Sequence, residues 1–158
     1  MDMNLVERLK KDKKGFTLVE MIVTIVIIGI LLSILVPGLF KYIEKAKDRQ
    51  FMVNARSAYI AVQDNLLEAF GSSNIVTFID VIADYQSKGA TGLTVSDIEG
   101  IPETGKVIMD IKAMNDIGLT GNSIDENTGE ILALEYREGN KYIQYVKAKG
   151  WTNVAVSP

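Results

Sequence analysis

Lys13-Lys14-Gly15-Phe16-Thr17-Leu18-Val19-Glu20 sets a pair of basic residues, a glycine and one acid at the head of a long apolar run. Between Phe16 and Phe40, a stretch of 25 residues, Glu20 is the only charged side chain. At about 1.5 Å rise per residue a helix of that length spans roughly 37 Å, more than the roughly 30 Å of a bilayer's hydrocarbon core. The run therefore reads as a helix that can cross a membrane. Ahead of it, residues 1–15 carry Arg8, Lys10, Lys11, Lys13 and Lys14 against Asp2, Glu7 and Asp12. Positive charge next to an apolar span predicts a cytoplasmic leader, with everything after the helix facing outward. A secretory signal would carry a small-residue cleavage site after its apolar region, whereas the candidate scissile glycine, Gly15, lies before it. A cut there leaves the apolar helix in the mature chain.

The segment Lys-Lys-Gly-Phe-Thr-Leu-Val-Glu followed by an apolar helix with a later Pro37 resembles the class III signal of type IV pilins and their pseudopilin relatives, over about the first third of the chain. The resemblance implies that a prepilin peptidase cuts between Gly15 and Phe16 and methylates the new Phe16 amine. It implies an α+β fold, a long amino-terminal helix packed against a small antiparallel β-sheet. It also implies partners: copies of this chain or related pilins, an inner-membrane assembly platform and its ATPase. The chain would sit in the cytoplasmic membrane before assembly and in a surface filament after it, serving adhesion, motility or biofilm growth. A pseudopilin of a secretion or DNA-uptake machine, and a single-span anchored binding protein, are the alternative readings.

Within this frame Glu20 has a physical rationale. A carboxylate in hydrocarbon is costly and persists where a partner or a function compensates it. Glu20 lies about 6 Å along the axis from Phe16, and the resemblance implies that it pairs with the Phe16 amine of an adjacent subunit and so sets the axial stagger. The simpler alternative is an acid that caps its own first turn, favoured by the helix dipole. Further along, Pro37 has no N–H to offer the Ser33 carbonyl, which predicts a kink or local opening between Gly29 and Gly38. Gly29 and Ser33 form a small-xxx-small pair that lets helices approach closely. Gly29 and Pro37 join Glu20 as assembly candidates.

Past Pro37 the pattern turns amphipathic. Phe51, Ala55, Tyr59, Val62, Leu66 and Phe70 recur at helical spacing, and charged residues fill the positions around them. One helix thus serves two environments, residues 16–40 in lipid or a filament core and residues 41–70 against a soluble domain. Gly71-Ser72-Ser73-Asn74 marks its end. The basic residues of 41–50 are balanced by Glu44 and Asp48 and read as a solvated face, so no nucleic-acid partner is expected.

Residues 71–158 read as one globular head. Residues 77–88 predict a short helix capped by Thr77, with Phe78, Val81, Ile82 and Tyr85 on one side. Residues 106–115 suit either state: Ile108, Ile111 and Met114 fit a helix, while Val107, Met109, Ile111 and Ala113 alternate as in a strand, and helix is the reading favoured. Leu132, Leu134 and Tyr136 alternate, Glu138-Gly139-Asn140 turns, and residues 142–147 are rich in aromatic and β-branched types, which predicts an antiparallel hairpin. Residues 151–156 add a third strand.

Composition narrows the chemistry. The chain has no cysteine and no histidine, which excludes thiol nucleophiles, histidine bases and the usual zinc ligand sets. No catalytic glycine motif is present, no cofactor is expected, and the protein is not expected to be an enzyme. Glu135 and Glu138 read as solvated strand-edge charges rather than an acid pair. Asp125-Glu126-Asn127-Thr128-Gly129-Glu130 offers oxygen ligands, with Asp125 and Asn127 as calcium candidates, but its spacing departs from an EF-hand and a turn is the favoured reading. Lack of cysteine also departs from the many pilins that close a carboxy-terminal loop with a disulfide, and leans toward Gram-positive or pseudopilin relatives. The net charge of −3 divides into about +2 on the leader, balance over 16–70 and about −5 on the head, which disfavours nonspecific DNA capture.

Overall fold

The computed structural model describes residues 15–71, 75–115 and 117–157. Residues 1–14 of the leader and residues 72–74 of the expected turn lie outside the described residues, as does the side chain of Thr77. The chain divides into two units, residues 1–45 and 46–158, and helix α1, Leu18–Gly71, contributes to both.

In the first unit α1 is apolar on every side and none of its side chains is buried. Phe16, Ile22, Leu31 and Phe40 are 80%, 48%, 55% and 65% exposed, respectively. An apolar surface this large and continuous is not one that a water-soluble chain leaves bare. A helix satisfies all of its backbone groups internally, which is what a hydrocarbon environment demands. α1 is long and apolar enough to cross a membrane.

The second unit is an α+β head. Its part of α1 buries Phe51, Ala55, Ala58, Val62 and Leu66, a stripe at the spacing of one helix face. Ala58 takes a central place, whereas Tyr59 is half-buried and Phe70 is exposed, edge-on to Phe78 with ring centroids 5.0 Å apart. Helix α2, Ile75–Gly89, buries Phe78, Ile82 and Tyr85 as the pattern predicts. It begins two residues before Thr77, so Thr77 lies inside the helix rather than capping it.

Five strands form one antiparallel sheet: β1 (Gly105–Ile108), β2 (Ala133–Glu138), β3 (Lys141–Val146), β4 (Gly150–Trp151) and β5 (Ala155–Val156). The order is β1-β2-β3, with β4 and β5 both paired to β3. The predicted hairpin is present, with a two-residue loop of Gly139 and Asn140 in which Gly139 adopts φ 61°, a conformation that glycine accepts without strain. Register places Val107, Tyr136 and Ile143 in one row and Ile108, Glu135 and Gln144 in the next, so the two rows face opposite sides. The first row joins α1 and α2 in the main core. On the second side Ile108, Ala133 and Val146 pack with Met114 and Ile117 of the segment that crosses the sheet.

Two expectations are corrected. Residues 106–115 are not a helix: they form β1 followed by a 3-10 turn at Ile111–Ala113. Both sheet faces are covered here, so Val107 and Ile108 are buried in succession and local alternation does not report the state. The third strand at 151–156 is two short strands, interrupted where Thr152 leaves the ladder and hydrogen-bonds Gln144 through N–H to the Gln144 carbonyl (2.8 Å) and Oγ1 from the Gln144 N–H (3.0 Å).

Candidate assembly site

The first turn of α1 is built around Thr17 and Glu20. The Thr17 N–H and its hydroxyl both donate to Glu20 Oε2, at 2.9 and 3.0 Å, and the Glu20 N–H donates back to Thr17 Oγ1 at 3.2 Å. This is a reciprocal capping box, Thr at the N-cap and Glu three residues on, which satisfies donors that a helix start otherwise leaves open. Within a single chain Glu20 is thus occupied in capping. One oxygen, Oε2, takes both Thr17 bonds, and a carboxylate has lone pairs to spare for a further donor. Thr17 was not singled out in the sequence, although the Thr-x-x-Glu spacing carries the signal.

Gly15 and Phe16 lie immediately before this turn, outside the helix and exposed. Among the described residues a side chain at Gly15 would meet nothing within 4 Å. Gly29 and Pro37 do not gather with Glu20; they lie further along α1. Among the described residues a side chain at Gly29 would meet nothing within 4 Å beyond its own helix, and Ser33 Oγ donates to the Ile30 carbonyl at 2.7 Å. The helix runs unbroken through Pro37, so local opening is absent from the isolated chain.

Among its described residues the head presents no comparable gathering of chemistry. Among the described residues no group of three or more acidic, histidine or cysteine side chains is placed to hold a metal ion. Asp125 Oδ1 accepts from the N–H and the side-chain amide of Asn127, at 2.9 and 3.3 Å. The Gly129 N–H closes the turn on the Asp125 carbonyl at 2.8 Å. The Asn127 N–H, the largest cause, holds the Asp125 carboxyl below its ordinary range.

Glu135 and Glu138 correct the expectation of two solvated charges. They lie on opposite faces of the sheet, and Glu135 is completely buried. Its carboxylate accepts from the Asn115 N–H at 2.7 Å, the Asn115 amide at 3.2 Å, the Gln144 amide at 2.8 Å and Arg137 Nε. Arg137 Nη2 in turn donates to the Ala113 carbonyl at 2.7 Å. This network clamps the crossing segment onto the sheet. Glu138 instead receives the Tyr136 hydroxyl at 3.1 Å, Thr104 at 2.9 Å and Asn54 at 3.2 Å. Burial, and then the Glu138 charge, push the Tyr136 hydroxyl pKa upward.

Residues 10–36 match the family model of the prokaryotic N-terminal methylation motif. The chain carries the class III signal of type IV pilin-like proteins. The matched span takes in the basic pair, the glycine, the capping box and most of the apolar part of α1. Such a signal belongs to structural subunits that are processed by prepilin peptidase and assembled in the pilin manner, and the exposed apolar helix fits a membrane-anchored precursor. No solved structure matches the chain significantly.

Proposed function

We propose that this protein is the structural subunit of a type IV pilus. Prepilin peptidase cleaves between Gly15 and Phe16 and methylates the Phe16 amine, residues 1–15 are discarded, and residues 16–40 anchor the subunit until an ATPase-driven platform extracts it. The apolar half of α1 then exchanges lipid for the same surface of its neighbours, and Pro37, with Gly29 nearby, is where the helix yields to that packing. Glu20 accepts the Phe16 amine of an adjacent subunit and fixes its step. The observation that carries this reading is the methylation motif, which runs from the basic residues into a helix whose apolar surface is exposed on all sides.

Two substitutions separate charge pairing from capping. Gln at position 20 keeps an acceptor for the Thr17 N–H but removes the charge, whereas Ala removes both. The proposal expects Glu20→Gln and Glu20→Ala to insert normally and both to lose filaments, scored by electron microscopy with an antibody to the head. Normal filaments from Glu20→Gln would reduce Glu20 to a cap. The same images distinguish long surface filaments from the short fibres of a pseudopilus and from an anchored protein that forms none.

A further inference from the structure

Among the described residues Ser123 Oγ is the only buried side-chain nitrogen or oxygen without a hydrogen-bond partner. Ser123 is 2% exposed, and folded chains rarely keep a hydroxyl that is both dry and unpaired. Its backbone is pinned, because the Ser123 carbonyl accepts from the Leu132 N–H at 2.7 Å and from the Ala133 N–H at 3.1 Å. Alanine would fill the same place without burying an unpaired oxygen. The hydroxyl thus has no work to do within the chain.

Ser123 lines a cavity of about 270 Å³ where three stretches of the head converge. Gln86 comes from the last turn of α2, Asp110 and Lys112 from the turn that follows β1, and Asn122 from the residue before the serine. A water's share of liquid volume is about 30 Å³, so the space is larger than one bridging water fills. Its walls hold unused bonding capacity. Neither the Gln86 amide nor the Lys112 ammonium has a hydrogen-bond or ion-pair partner among the described residues. Asp110 Oδ1 accepts the Lys112 N–H at 2.9 Å, which leaves Oδ2 open. The Asn122 amide nitrogen donates to Glu126 Oε1 at 2.8 Å, which leaves Asn122 Oδ1 open.

Charge and bonding capacity select the class of ligand. Lys112 and Asp110 oppose each other in the lining, and Glu126 beside Asn122 disfavours an anion such as phosphate. No group of three or more acids gathers among the described residues to hold a metal ion. What the cavity offers is a mixture: donors on Gln86 and Lys112, acceptors on Gln86, Asp110 and Asn122, and a serine hydroxyl that does both. A ligand group that gives and takes a hydrogen bond at once satisfies such a mixture, and the hydroxyl is that group. The volume lies just below the range of drug-sized ligand sites, about 300–1,000 Å³, and suits a single sugar ring.

We infer that this cavity binds a neutral, hydroxyl-rich molecule the size of one monosaccharide, with Ser123 as its buried anchor. The site lies wholly within the head and needs no second copy of the chain, so it stands apart from filament formation.

The isotope-labelled full chain, held in a polyoxyethylene detergent that carries no sugar headgroup, provides the test by nuclear magnetic resonance. Glucose, galactose, mannose and N-acetylglucosamine are titrated separately at millimolar concentration. At least one should shift the amide signals of Gln86, Asp110, Lys112 and Ser123 saturably and leave those of β5 in place. Ser123→Ala should melt no lower than the parent without sugar, yet bind the sugar about tenfold more weakly or worse, as loss of a hydrogen bond in a buried site implies. That split separates an anchor for a ligand from a structural hydroxyl. A lower melting temperature for Ser123→Ala would reveal a partner within the chain and overturn the inference. So would the absence of a saturable shift with all four sugars, which leaves the cavity to water only, or shifts produced by inorganic phosphate or zwitterionic glycine in their place. The methyl glycoside of the bound sugar identifies the source. Binding retained by the glycoside supports the end of a glycan chain as the ligand, and binding confined to the free sugar supports a soluble monosaccharide.

Discussion

Replacing Glu135 by Ala tests whether the buried network holds the head together. The carboxylate is fully buried and accepts from Asn115 N–H, the Asn115 amide, the Gln144 amide and Arg137. Once it is removed, the Asn115 N–H is stranded beneath the crossing segment and loses a 2.7 Å partner. A stranded buried donor costs about 1–3 kcal/mol, and breaking a buried charge pair from one side costs about 3–5 kcal/mol. Arg137 keeps the Ala113 carbonyl and a side chain 26% exposed, so water takes over part of its solvation and the lower figure, about 3 kcal/mol, is expected. That is a factor of more than a hundred in the folding equilibrium, and a fall of roughly 1–3 M in urea midpoint. Urea unfolding of the full chain in detergent, followed by Trp151 fluorescence, measures it. Arg137→Ala should cost a similar amount by stranding Glu135, and the double variant should cost much less than the two combined. A loss below about 1 kcal/mol for Glu135→Ala would refute the clamp.

Three further outcomes follow from the packing and the hydrogen bonds. Leu66→Ala should destabilise the head by about 2–5 kcal/mol, while Leu67→Ala, at a side chain 47% exposed, should stay within about 0.5 kcal/mol; equal effects in thermal melts would mean that the buried face is misassigned. At Gly105 an added Cβ would lie 2.0 Å from the Tyr136 hydroxyl oxygen, and Tyr136 is fully buried, so Gly105→Ala should lower the melting temperature through about 1–3 kcal/mol of overpacking. Asp97 is held below its ordinary carboxyl range first by the Thr94 N–H and then by the Thr94 hydroxyl and Lys88. A depressed folded-state value means that its contribution is present above pH 3.8, the ordinary value, and is lost as pH falls through the folded value. Asp97→Ala should therefore be destabilising at neutral pH, with the gap from the parent closing below that point; a gap independent of pH would contradict the assignment.

Much of this architecture was legible because single-sided patterns report directly on structure. The hairpin announced itself through the alternation of Leu134 and Tyr136 and the turn at Gly139: β2 is also covered on both faces, but its second face carries the small Ala133 and the polar Glu135 and Arg137, so the period of two survives in the sequence. Helix α2 was readable from Phe78, Ile82 and Tyr85 because its buried residues lie on one side. The segment 106–115 was misread where that condition fails: β1 is covered on both faces, so Val107, Ile108 and Met109 are all buried and no period of two survives. Glu135 was misread because charge in an alternating strand ordinarily means solvent. Its burial depends on Asn115, Arg137 and Gln144, partners that only tertiary pairing brings within reach. The capping box was fully local and readable from Thr17 and Glu20 alone.

The mature amino terminus decides whether the chain is processed as a pilin precursor. Mass spectrometry of the protein recovered from cells that possess prepilin peptidase should find a chain beginning at Phe16 with one methyl group on its amine and with residues 16–40 retained. A chain that keeps Gly15 and the leader, or one cut after the apolar helix, would contradict it.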